Sequence, residues 1–207
     1  MPKIDTPQLP EDMTEHFELP DEDEFEGCLF TECHMAQDRL IAREFRGCVF
    51  RRCNLTGTDL TRATFIDVVF DHCDMGQAVL DSALCQRVLL DTCRLTGADL
   101  VQSCLRNTTF TGCKADFLNL SRSKCDHVAF ADCILTEAAL ESVTLRQVDF
   151  SACSLSRANF FGTPLKGLDL RTCQLEGIAV NLPDLRGLIV SAEQAAALAG
   201  LLGLVVR

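Results

Sequence analysis

Tryptophan and tyrosine are absent from the 207 residues, and phenylalanine is the only aromatic side chain beside four histidines. A stacking platform for single-stranded nucleic acid is therefore not expected. Bases are scarce as well: 19 Lys+Arg stand against 30 Asp+Glu, a formal net charge of −11. A generic nucleic-acid binder needs a basic footprint, so direct nucleic-acid binding is set aside. The longest nearly apolar stretch, residues 195–206, has 12 residues and is too short to span a bilayer. The opening MPKIDTPQLPEDMTEH has neither the basic start nor the apolar core of a secretory signal. The expectation is a soluble, cytoplasmic protein of ordinary single-domain size, without membrane contact.

Cysteine, by contrast, is plentiful at 13 copies. An odd count in a reducing compartment reads as free thiols rather than a disulfide framework. The arrangement is periodic. From Phe25 to Val190 every fifth residue is apolar, 34 positions in succession without an insertion. Two residues before each lies a second, mostly small series: Cys28, Cys33, Cys48, Cys53, Thr58, Ala63, Val68, Cys73, Ala78, Ala83 and onward. A period of five fits neither the 3.6 of a helix nor the 2 of a single strand. It fits a chain that turns a corner every five residues, with both series pointing inward along each short side.

A longer period supports this. Cys33, Cys53, Cys73, Cys93, Cys113, Cys133, Cys153 and Cys173 recur every 20 residues, as do Phe30, Phe50, Phe70, Phe110, Phe130 and Phe150. Twenty is four fives, so one turn has four sides and like residues stack in columns. The fives TGTDLTRATF (56–65), TGADL (96–100) and SRANF (156–160), with the cysteine variants CLF, CVF and CNL at 28–30, 48–50 and 53–55, resemble the signature of pentapeptide-repeat proteins. That resemblance covers about residues 25–190. It implies an all-β, right-handed quadrilateral β-helix of about 8.5 coils, roughly 40 Å tall at ~4.8 Å per turn, closed by a short C-terminal helix cap.

Three segments are expected: an acidic, partly disordered 1–24, a β-helix over 25–190, and a cap over 191–207. Residues 1–30 hold ten acids and one base, and four of the six prolines lie in 1–24. The first dozen residues are expected to be disordered, with Phe17 and Leu19 folding over the open first coil. Ala115 is undersized at a large position and Leu118 oversized at a small one, which reads as a volume-conserving exchange within one coil. Asp38 and Arg43 fall on inward positions, implying a local irregularity, an ion pair, or a functional buried pair.

At the other end Ser191 is a good N-cap and Gln194 completes a capping box, so a helix over about 192–202 with Gly203 at C′ is expected, then a short strand at 204–206. A last coil needs covering. The segment is more apolar than a cover requires, and Leu198, Leu201, Leu202, Leu204, Val205 and Val206 are expected to form a two-fold homodimer interface; an intramolecular cap is the alternative. The ending resembles the dimerisation module of the quinolone-resistance (Qnr-like) and albicidin-resistance branch. That resemblance implies binding of DNA gyrase or topoisomerase IV as a DNA mimic, protecting the enzyme from quinolones or toxins.

No catalytic constellation is legible, and neither cofactor nor metal is expected. His16, His34, His72 and His127 lie on different columns or outside the coil, and no glycine loop could cradle a phosphate. Gly47, Gly57, Gly97, Gly167, Gly177 and Gly187 sit at corners, where turns need them. The cysteine column could suggest a metal or redox site, but it has no C-x-x-C pairs and exchanges freely with Ala, Val and Thr; buried reduced thiols are the reading taken. Cys104 points outward and is the one plausible reactive thiol.

Charge does not support the mimic. Forty ångströms of B-DNA would carry about 24 charges, whereas residues 31–207 hold 20 acids and 18 bases. The side bearing Arg46, Arg106, Arg146, Lys166 and Arg186 is mildly basic. The alternative is a protein-interaction scaffold. Leu29, Val49, Val69 and Leu89 fall on outward positions stacked every 20 residues, which reads as a contact strip or as a surface covered by residues 1–24 or by turn geometry. Phe117 and Phe161 are also expected outside, where an aromatic can anchor a partner.

Overall fold

A side only five residues long cannot pair with its chain neighbours; its backbone groups must be met by the same side one turn away. The computed structural model describes residues 3–204 and shows this arrangement. Its strands are β1 (Thr14–His16), β2 (Glu24–Glu26), β3 (Cys28–Thr31), β4 (Glu44–Arg46), β5 (Val49–Arg51), β6 (Thr64–Asp71), β7 (Leu84–Asp91), β8 (Cys104–Thr111), β9 (Lys124–Ala131) and β10 (Thr144–Ser151). From β2 upward all pairings are parallel with a shift of 20 residues, as in Phe25↔Phe45 and Phe50↔Phe70. The other two sides show the same shift in single bridges such as Asn54↔Asp74 and Asp59↔Val79. The protein is a four-sided parallel β-solenoid.

The inside is a stack of like residues. Phe30, Phe50 and Phe70 stack face to face at 4.8 Å, and Phe25, Phe45 and Phe65 at 5.0 and 5.3 Å. The two columns meet edge-on, Phe45 against Phe50 at 5.2 Å. Leu90 interrupts the first column before Phe110, Phe130 and Phe150 resume it at 4.6 and 4.9 Å. Ala115 and Leu118 are both buried, as the exchange requires.

The cysteine column lies beside these rings. From Cys53 upward each Sγ–H donates to the carbonyl 23 residues back: Cys53 to Phe30, Cys73 to Phe50, Cys93 to Phe70, Cys113 to Leu90, at 3.3–3.4 Å. Thr58 and Thr163 make the same bond to Met35 and Leu140 at 2.6 Å. A small inward donor therefore serves a carbonyl at these corners, whereas the buried Ser103 hydroxyl at an equivalent position has no partner among the described residues. Two residues after most large inward side chains the backbone is left-handed, and 22 of these corner residues are not glycine. Glycine marks only some of the corners, so the sequence under-reports how many are left-handed.

The first turn differs from expectation in three respects. β1 pairs with β3, His16 stacks on Phe30 at 5.5 Å, and Cys33 donates to the His16 carbonyl. Leu19 packs on the core, but Phe17 is 65% exposed and does not cover the end. Residues 5–10 are not free: they run as a strap across successive turns, with Pro10 against Gly27 and Gly47, the Gln8 N–H on Asp67 Oδ1 at 2.9 Å and the Asp5 N–H on Asn107 Oδ1 at 3.3 Å. Asp38 and Arg43 form no pair. Asp38 is exposed, while Arg43 leaves the inward row and donates to the Glu22 carbonyl and the Asp23 carboxylate. The acidic segment draws that guanidinium out of the core.

The upper end departs from regularity at Pro164. This residue falls where every earlier turn begins its strand, and it has no N–H to give. Among the described residues no backbone hydrogen bond joins 145–150 to 164–169. Two threonine hydroxyls clip the gap at its ends instead: Val143 N–H to Thr163 Oγ1 at 2.8 Å and Ala152 N–H to Thr172 Oγ1 at 3.1 Å. Above it the helix α1 (Ala192–Ala199) starts at the Ser191 capping box, and a 3-10 turn (Gly200–Leu202) ends at left-handed Gly203. Gln194 Nε2 donates to the Leu170 and Cys173 carbonyls at 2.8 and 2.7 Å, which fixes α1 over the last turn.

Candidate functional site

Chemistry is scarce on this scaffold. Among the described residues no group of three or more His, Cys, Asp or Glu side chains could hold a metal ion. All 13 cysteines are free, and all but Cys104 are buried. Burial pushes the Cys48, Cys85 and Cys125 thiols up to about 12. Thiols this protonated do not act as nucleophiles at neutral pH. At pH 8 an aromatic disulfide reagent is expected to label one thiol, Cys104, in the folded chain, and all 13 in denaturant. Rapid labelling of several thiols in the native chain would contradict the buried column.

The outward charges are arranged by the same 20-residue shift. Arg87 grips Asp67 with two bonds of 2.6 and 2.7 Å. Arg94 meets Asp74 at 2.9 Å, Arg157 meets Glu137 at 2.7 Å and Arg51 meets Asp71 at 3.3 Å. In these pairs acids and bases neutralise each other along the columns, and no dense negative wall forms among the described residues. The separation of 20 was visible in the sequence once the turn length was known.

The proposed apolar strip is largely withdrawn from solvent. Val49 is 5% exposed, stacked in register between Leu29 and Val69, and this corrects its reading as a contact residue. Leu29, Val69 and Leu89 are half-buried. Close stacking of branched side chains on adjacent rungs hides most of their surface. Phe117 and Phe161 do lie outside, at 54% and 45% exposed. Phe117 is also left-handed, with φ +59°, an uncommon place for a bulky side chain.

At the C-terminal end Leu198 packs on the core, while Leu201 and Leu204 are 43% and 58% exposed. The Leu202 side chain, Val205 and Val206 lie outside the described residues. A groove of about 480 Å³ is lined by Leu182, Leu185, Leu188, Val190, Ala195 and Leu198, with neighbouring side chains.

At the other end the strap was missed by sequence reading. Its signal is Gly27 and Gly47: a Cβ there would meet Pro10 at 3.4 and 3.1 Å. Its main anchor is Asp67. The hydrogen-bonded Arg87 guanidinium holds the Asp67 carboxyl below the usual carboxylate range against partial burial, and the Gln8 N–H adds to this. A depressed folded pKa stabilises above about pH 4 and is lost as pH falls through the folded value. The protection of the Gln8 amide, taken relative to the intrinsic exchange rate at each pH and read by NMR, is expected to fall in acid, and to fall about tenfold at neutral pH in Asp67→Ala. Unchanged protection would mean that Asp67 does not hold the strap.

A four-sided parallel solenoid with five-residue sides and a core of stacked Phe, Leu and Cys defines the structural class. The family model described as pentapeptide repeat region matches residues 23–100 and 83–160. This chain belongs to the pentapeptide-repeat family. Among solved structures it is similar to HetL, a pentapeptide repeat protein involved in heterocyst differentiation regulation from the cyanobacterium Nostoc sp. strain PCC 7120, at 16% identity and TM-score 0.55 over 82% of this chain and 90% of that one. It also matches QnrB1, a plasmid-mediated fluoroquinolone resistance protein, at 20% identity and TM-score 0.44 over 87% and 90%. A pentapeptide repeat protein of the Arabidopsis thaliana thylakoid lumen matches at 21% identity and TM-score 0.36 over 56% and 67%. No curated protein matches the chain.

Proposed function

We propose that this chain is a non-catalytic, protein-binding rod, an interaction scaffold whose side wall is read by a partner. The observation that carries this reading is Phe117, a large aromatic more than half exposed on a left-handed corner, with Phe161 two turns above and one side away. An exposed aromatic held on a rigid wall is a favourable anchor. The test is retention of partners from a lysate by the wild-type chain and by Phe117→Ser/Phe161→Ser. A protein retained by the first and lost by the second is expected; identical profiles would remove the aromatic pair from the function.

A second reading is a DNA mimic that binds gyrase or topoisomerase IV. It is favoured by the acidic N-terminal end and by the C-terminal segment's resemblance to the quinolone-resistance branch. The paired charges of the walls weigh against it. A supercoiling assay with purified gyrase, with and without quinolone, decides: neither inhibition nor protection at micromolar protein removes the topoisomerase reading.

The same C-terminal segment supports homodimerisation, since Leu201 and Leu204 remain exposed beside the apolar groove. Leu201→Asp/Leu204→Asp is expected to give a monomer by light scattering where the wild-type chain has twice the mass. An equal mass for both would count against this interface.

A further inference from the structure

The strap shows what one corner of the rod can bind. That corner is the column Gly27, Gly47, Asp67, Arg87, Asn107, His127, Gln147, Gly167, Gly187. From Pro10 to Asp5 the strap crosses from Gly47 to Asn107, three turns or roughly 15 Å in five steps, which is extended chain. It lies across the strands, along the rod axis, and it is anchored through its backbone as well as its acids. It stops at Asn107, but the corner continues.

Above Asn107 the corner is open and cationic. Arg106, Lys124, Arg146, Lys166 and Arg186 are exposed beside it. Arg146, Lys166 and Arg186 stand in one column, each 20 residues from the next. Four acids flank this stretch: Asp126, which contacts His127 at 2.9 Å and lies 3.9 Å from Arg146; Asp184, which accepts from Asn181 and the Gly162 N–H; and, on the far side of the corner, the half-buried Asp149 and Asp169, the latter paired with Arg171. Gly167 repeats the glycine seats that Pro10 fills lower down, and a Cβ placed on it would meet nothing within 4 Å.

The gap at Pro164 opens onto the same stretch. Gly27 and Gly47 donate to the carbonyls of Arg46 and Ile66 in the next turn at 2.9 Å, but among the described residues the Gln147 N–H has no corresponding bond to Lys166. A cavity of about 210 Å³ lies there, lined by Leu145, Gln147, Val148, Pro164, Gly167 and Leu168, beside Lys166. The upper corner therefore combines a row of cations, an unfilled glycine seat and an unpaired backbone N–H. We infer that it is a docking track for an extended, acid-rich segment of another protein, running along the rod axis in line with the chain's own strap. Carboxylates of that segment meet Arg146, Lys166 and Arg186, and a main-chain carbonyl takes the Gln147 N–H.

The track lies on a different side from Phe117, so its failure would leave the aromatic reading standing. Binding of a fluorescein-labelled decaglutamate peptide to the full chain, followed by anisotropy at low salt, tests it. Saturable binding is expected, weakening as salt rises and falling at least about tenfold in Arg146→Glu/Lys166→Glu/Arg186→Glu. The triple alanine variant, whose exposed positions leave the thermal melt unchanged, is expected to lose several-fold. Arg94→Glu/Lys114→Glu, on another side, is expected to stay within about twofold of wild type. No saturable binding, an equal loss in the Arg94/Lys114 variant, or a single-stranded DNA of equal length binding as tightly as the peptide would each overturn the proposal.

Discussion

Phe50→Ala is expected to lower stability by about 3–5 kcal/mol, read as a fall in the urea midpoint at unchanged slope. The ring is 1% exposed. It stacks on Phe30 below and Phe70 above and receives the edge of Phe45, so truncation breaks three aromatic contacts and leaves a hole that rigid turns cannot close. The comparison that isolates stacking is Phe150→Ala. Phe150 is as deeply buried but has one stacked aromatic partner, Phe130. Each aromatic pair adds about 0.5–1.5 kcal/mol beyond burial, so the Phe150 variant is expected to lose less by two such increments. Equal losses would mean that the columns act through apolar burial alone.

The second large effect concerns Ala115 and Leu118. In the neighbouring coils of this side the large residue comes first and the small one three later, as in Leu95 with Ala98 and Leu135 with Ala138. In the coil between them the order is reversed, and both residues are buried at 1% and 0% exposed. Leu118→Ala is expected to cost about 2–5 kcal/mol by opening a cavity, and Ala115→Leu about 1–3 by overpacking. The double variant restores both the volume and the family order. It is expected to recover much of the combined loss, a coupling of about 2 kcal/mol or more between neighbours that share one space. Simple additivity in urea denaturation would show that the two positions do not exchange volume.

The inward half of this protein was legible because burial imposes periodicity. Whatever points into a four-sided tube must be apolar or small, and the period of five follows from the side length. The cysteine column, the Ala115/Leu118 exchange and the Ser191–Gln194 capping box are all local or periodic signals of this kind. The outward half was much less legible. Val49 reads as exposed by position, yet it is hidden by stacking with its neighbours one turn away, which no single five reveals. Non-glycine corners such as Thr92 and Phe117 adopt left-handed backbone because the spiral requires it, against their own preference. The strap depends on contacts across many turns, such as Asp5 with Asn107, and only Gly27 and Gly47 hint at it. Pro164 was visible as a residue, but its consequence depends on which rung it begins.

In a solenoid each repeat touches only its neighbours, so cooperativity passes from rung to rung. Where Pro164 interrupts the ladder on two adjoining sides, that passage narrows to the remaining two sides and a pair of threonine hydroxyls. The final turns with α1 are therefore expected to act as a separate cooperative unit, opening while the aromatic columns below stay intact. The rod is expected to tear first along this line, which amide exchange faster above residue 164 than below it would show.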